Sequence, residues 1–196
     1  MTTTLPKRPK RIVPIALTPL AALLLIGAGP QTYTLDTKAS SIAAKVPFLG
    51  IGSRTATFNS ISGSVKFAPD RPSDARVNVT INTQDIKAPD RVTLNRLKSE
   101  KFFWVDKYPT AKFAGSNLTM TSATTGRISG KLTARGVTRP ETLIVKFDRN
   151  PKTAMGKTIG LTGTMKINRK NYGMNSFNLV VGKTVTINLK ARMVPG

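Results

Sequence analysis

The chain contains no cysteine and no histidine. That double absence excludes a Cys–His nucleophile pair, a Ser–His–Asp triad and zinc sites of the usual nitrogen and sulfur type. It also excludes a lipid anchor on cysteine, and it is compatible with an oxidising compartment, where stray thiols are a liability. Acidic residues are scarce, nine against 31 lysines and arginines. Most of them, Asp36, Asp70, Asp74, Asp85, Asp90 and Asp106 among them, are expected at strand ends or turns. No two have a spacing that obliges them to meet, so a paired-carboxylate mechanism finds no support. The chain is therefore not expected to be an enzyme, and no cofactor or metal is implied.

Charge is what the chain has in excess. Of the net +22, only four cations (Lys7, Arg8, Lys10, Arg11) fall in the first thirty residues, so +18 belongs to the remainder. Those four precede an uncharged apolar run over 12–28 that Pro14 and Pro19 interrupt. A basic segment followed by such a run is the plan of a secretory signal, and its length lies near the lower edge for a spanning helix. Residues 1–30 are therefore read as a cleaved signal peptide or, alternatively, an uncleaved N-terminal membrane anchor. Residues 31–196 are one folded domain. The expected location is the periplasm or cell envelope.

From Tyr33 onward the hydrophobic period is two. Val77, Val79 and Ile81 alternate with Asn78 and Thr80; Ile128, Gly130, Leu132 and Ala134 with Ser129, Lys131 and Thr133. Leu143, Val145 and Phe147 repeat the pattern, as do Ile159, Leu161, Gly163, Met165 and Ile167. Val185, Ile187, Leu189, Ala191 and Met193 give the cleanest example. Strands with one dry and one wet face suit antiparallel sheets. Turn signals at Pro69-Asp70-Arg71-Pro72, Thr125-Gly126, Gly136, Arg149-Asn150-Pro151 and Gly182-Lys183 separate them. Asp90 can cap a short helix over 90–99, with Val92, Leu94 and Leu97 on one face.

Two segments, Gly130-Lys131-Leu132-Thr133-Ala134-Arg135-Gly136-Val137-Thr138-Arg139-Pro140 and Leu97-Lys98-Ser99-Glu100-Lys101-Phe102-Phe103, the latter continuing through Tyr108-Pro109 to Phe113, resemble those of the YceI-like family. Tyr33-Thr34-Leu35-Asp36, Phe58 with Ser62-Gly63, Arg169 with Tyr172-Gly173-Met174, and Val181-Gly182 add weaker similarities. The resemblance implies an all-β, antiparallel up-and-down, lipocalin-like barrel of about eight strands with one short helix. It also implies an exported protein that holds a long amphiphile such as a polyisoprenoid lipid. The chain departs from the family pattern in three places. Pro47-Phe48 stand where a histidine often precedes Leu49-Gly50, Ala56-Thr57 replace a glycine before Phe58, and Ala68 replaces an aspartate.

Candidate ligand-binding residues follow from the residues and the resemblance together: Phe58, Phe102, Phe103, Trp104, Phe113, Arg169, Asn171 and Tyr172. An apolar tail would be stabilised by aromatic surface at ~25 cal/mol per Å² buried, although core packing is the plainer role for any one ring. Guanidinium forks match phosphate oxygens, which makes Arg169 a candidate head-group contact. Abundant cations make a solvated face the ordinary reading for each of them. Small inward residues, Gly130, Ala134, Gly163 and Ala191, either leave a cavity or fit the barrel's taper.

Two functions remain open at this point. One is a carrier whose barrel encloses an amphiphilic lipid. The other is a basic envelope protein with a packed interior, attached to anionic membrane or polymer surfaces. Nucleic acid is not expected as a partner: aromatics are only 6% of residues, too few for a stacking platform, and an exported chain is separated from it. Adaptation to an acidic medium would explain the charge without a partner.

Overall fold

The period-two segments all form strands. A computed structural model describes residues 1–2, 31–68 and 71–196; the expected export segment and the Pro69-Asp70 half of one turn lie outside them. Among the described residues are ten strands: β1 (Gln31–Leu35), β2 (Ser41–Phe48), β3 (Gly52–Phe58), β4 (Ile61–Phe67), β5 (Arg76–Asn82), β6 (Thr110–Met120), β7 (Thr125–Ala134), β8 (Val137–Phe147), β9 (Ile159–Asn168) and β10 (Thr184–Pro195). Hydrogen bonding runs β1-β4-β5-β6-β7-β8-β9-β10 and returns to β1, so eight antiparallel strands close a barrel. Closure removes the edges of the eight-stranded ring, and only β3 of the added hairpin is left as an edge strand among the described residues.

The twelve-residue β10 is long enough to serve two partners. Its C-terminal end pairs with β1, Leu35 opposite Met193, while Thr186–Lys190 pair with β2. The β2–β3 hairpin thus extends the wall beyond the eight-stranded ring. Between β1 and β2 the chain bends at Thr37–Ala39, where the Asp36 carboxylate accepts the amides of Lys38 and Ala39.

Inward residues on β5, β7, β8, β9 and β10 are those the alternation assigns. One correction concerns Thr125-Gly126, expected as a turn. Both residues lie inside β7, and the turn is the preceding segment 121–124. Gly126 is small because Leu118 packs on it, so that a Cβ there would come within 2.7 Å of Leu118 Cδ1. Asn117, at φ 58°, is a bulge that leaves itself unpaired and returns Leu118 to the interior. Arg135 and Gly136 both have positive φ and form a two-residue hairpin turn between Ala134 and Val137.

One end of the barrel is sealed by Tyr33, Ala68, Ala75, Pro151, Ala154 and Ile159, all nearly fully buried. Over the other end lies α1 (Arg91–Lys98), which Asp90 caps by accepting the Thr93 amide at 2.7 Å. Leu94 and Leu97 of α1 pack inward onto the cluster of Ile42, Ala56, Phe58, Ile61 and Ile86. Val92, expected on the same face, is instead 60% exposed.

Candidate functional site: an apolar interior with a basic mouth

The lower interior is a cavity of about 110 Å³ lined by 21 residues, every one apolar. Among them Leu35, Val145, Met165, Leu189, Ala191 and Met193 come from four strands. Phe113 also lines it. The interior glycines do not leave this space. A Cβ at Gly130 would come within 2.6 Å of Phe113 Cζ, and one at Gly163 within 3.1 Å of Leu143 Cδ1. Large neighbours occupy what these two glycines vacate, which is the taper reading; Ala191, by contrast, lines the cavity.

Above it lies a second apolar space of about 70 Å³, lined by Ala44, Ala56, Leu97, Phe102, Phe103 and Met174 together with Arg169. Phe103 packs against the residues of both levels and meets Phe58 edge-to-face, centroids 5.5 Å apart. A wider mouth of about 340 Å³ adjoins it and shares Val46, Arg54, Thr93, Leu97, Phe102 and Val181. Phe48, Asp90, Val92, Arg96, Phe177 and Val180 complete that mouth.

Phe102 and Phe103 both face these spaces because the run after α1 is a turn and not a strand; the Phe102 and Trp104 amides both donate to the Ser99 carbonyl. Trp104 takes φ 50° and points elsewhere, packing on Tyr108 beneath Lys107 and Arg135. Asn171 is exposed and lines none of the three spaces.

Tyr172 is fully buried, and its hydroxyl donates to Glu141 Oε1 at 2.7 Å. Burial, followed by the Glu141 carboxylate, raises the phenol well above its ordinary range. This contact bridges the places where β8 and β9 have parted, since their pairing ends at Ile144 and Thr164.

Arg169 is only 2% exposed. Its Nε donates to the Gly182 carbonyl at 2.9 Å, Nη2 to Val181 O at 2.9 Å and Asn178 Oδ1 at 3.2 Å, and Nη1 to the Met174 carbonyl. The planar fork that suggested a head-group contact is therefore engaged by the loop over 174–182. The guanidinium edges the upper cavity and stands 5.9 Å from the Phe102 centroid, with no carboxylate among its hydrogen-bond partners. Burial lowers its pKa.

Residues 33–193 match the family model described as a YceI-like domain. The chain belongs to the YceI-like family. Among curated relatives, a UPF0312 protein of Ectopseudomonas mendocina is 30% identical over 162 residues, covering 78% of this chain and 85% of that one. One from Azotobacter vinelandii is 28% identical over 165 residues, 79% and 86% of the two chains. The fold is that of Burkholderia cenocepacia BcnA, with a TM-score of 0.73 at 21% identity over 81% of this chain and 98% of BcnA. A polyisoprenoid binding domain from Saccharophagus degradans, implicated in plant cell wall breakdown, superposes with a TM-score of 0.66 at 17% identity. It covers 85% of this chain and 99% of that domain.

The YceI-like mouth includes residues with no sequence signal for it. Arg54 and Phe177 sit at a hairpin edge and in a loop without periodicity. Only Met174 and Val181, which stand with Arg169 and Tyr172 in the family-like segments, mark the region in the sequence. Among the described residues no group of acids could hold a metal, and no helix is long and apolar enough to cross a membrane.

Proposed function

We propose that this YceI-like barrel is an exported carrier for a long-chain amphiphile of the polyisoprenoid type, working in the cell envelope. The observation that carries the reading is the lining of the lower cavity, where no polar side chain interrupts 21 apolar ones. Such a surface favours hydrocarbon and offers nothing to a polar solute. The Saccharophagus domain of similar fold, described as polyisoprenoid binding, supports the same class.

Typical ligand sites occupy ~300–1,000 Å³, and the lower cavity is well below that. A long chain therefore enters by displacing side chains. Met165 and Met193 below and Met174 above are unbranched and polarizable, the side chains that re-pack most readily. In this reading the chain threads past Phe103 toward Phe113, and the polar end stays at the mouth near Phe102. Arg169 contributes positive potential there without offering its fork.

Native mass spectrometry of protein purified from its own host tests this. A stoichiometric long-chain adduct is expected in the natural protein, reduced several-fold by Ala191→Phe, which fills the lower cavity. An adduct-free protein would instead favour the packed-interior reading, in which the basic surface alone carries function.

A further inference from the structure

Six large apolar residues are exposed among the described residues, and four of them surround the mouth. Ile51 is 94% exposed, Leu179 fully so, Val92 60% and Leu49 54%. They come from three separate segments: the β2–β3 tip, the loop after Arg169, and α1. The backbone joins the first two, since the Leu49 amide donates to Val180 O at 2.7 Å and the Gly182 amide to Pro47 O at 2.9 Å. Val92 faces them across the mouth cavity, which Phe48 and Val180 also line.

Fold stability does not ask for these residues. Leu49 and Gly50 occupy left-handed backbone at φ 55° and 71°, where asparagine or aspartate would serve the turn better than leucine. Cations are set among them. Arg54 lies 4.7 Å from the Phe48 centroid, and Arg96 and Lys101 lie 5.2 and 5.7 Å from the Phe177 centroid. Asp90, the acid at the same mouth, is already engaged as the cap of α1.

We propose that the mouth rim is a docking surface for an anionic lipid bilayer. Apolar tips protruding from a ring of arginine and lysine match the two layers such a surface presents, phosphate head groups outside and acyl chains ~5–10 Å below. Arg169 holds the loop that carries Leu179, so the tips are ordered before contact and little freedom is lost on docking. A barrel seated this way opens directly onto the membrane, and cargo passes between the two without crossing water.

The chain has no cysteine, which makes single-site labelling clean. Full-length Ile51→Cys, Leu179→Cys and Ile144→Cys are each given a bilayer-sensitive fluorophore; Ile144 is exposed on β8, away from the mouth. Mixed with vesicles of phosphatidylglycerol and phosphatidylcholine containing spin-labelled lipid, positions 51 and 179 should be quenched and 144 should not. With phosphatidylcholine alone, quenching should fall. Arg54→Glu combined with Arg96→Glu should weaken vesicle binding on the order of tenfold more than Arg127→Glu combined with Lys146→Glu, an equal charge change at the closed end. Equal quenching at all three sites, none at 51 and 179, or equal effects of the two charge reversals would overturn the proposal. The last result would mean attraction of any polyanion by net charge. None of these readouts depends on the cargo, so a barrel that carries no lipid can still pass or fail.

Discussion

The ring of Phe113 occupies the space that a side chain at Gly130 would fill. A Cβ at Gly130 would lie 2.6 Å from Phe113 Cζ and 2.7 Å from the Ala114 carbonyl oxygen. Two neighbouring strands are thus fitted to each other, large against absent, and the open volume lies elsewhere in the barrel.

That pairing makes a first prediction. Gly130→Ala should overpack the site and destabilise the fold by ~1–3 kcal/mol. Phe113→Ala should cost ~3–5 kcal/mol but enlarge the interior, so a small apolar ligand such as xenon should bind it more tightly. Denaturant unfolding with and without the gas measures both.

Arg169→Ala should remove a tether, not a ligand contact. Three carbonyls and the Asn178 amide oxygen lose their donor together, for a destabilisation on the order of 3 kcal/mol. Hydrogen exchange should speed up over 174–182 first. Arg169→Lys should rescue little, because an ammonium cannot satisfy so many acceptors in one plane. Unchanged exchange in that loop would contradict the assignment.

The Asp36–Arg192 pair predicts a pH dependence. Arg192 Nε donates to Asp36 Oδ2 at 2.8 Å, and this hydrogen bond is the main cause that lowers the Asp36 pKa. A carboxylate depressed on folding adds stability that is complete above its unfolded value of ~3.9 and is lost as pH falls through the folded value. The advantage of the natural protein over Asp36→Asn should therefore be constant from neutral pH to about 5 and should shrink below about 4. Urea midpoints at several pH values show it; an advantage growing in acid would be the wrong sign.

Tyr172→Phe should leave the Glu141 carboxylate without its donor where β8 and β9 part, costing ~1–3 kcal/mol. In the natural protein, absorbance titration compared with Tyr172→Phe should show the Tyr172 phenol ionising above its ordinary range.

The barrel was legible because β10 and its neighbours alternate without error, and a period of two leaves one face dry. The helix cap at Asp90 was legible from local chemistry alone. The mouth was not. Composition counts cations but does not tell an exposed Arg54 from a buried Arg169, because burial comes from a loop whose sequence has no period. Trp104 stands with Phe102 and Phe103 only by adjacency, and its own left-handed backbone turns it away from them. The fate of Gly130 depends on Phe113, which lies diagonally across on the next strand, two residues from its partner Gly115, a neighbour that only the register reveals.

The most direct test of the carrier reading is an electron-density map of the protein purified from its own envelope without added lipid. The account predicts elongated density running from the mouth beside Phe102, past Phe103, to Met165 and Ala191, with side chains moved aside to admit it. An interior packed as described, with no density beyond its own side chains, would contradict it.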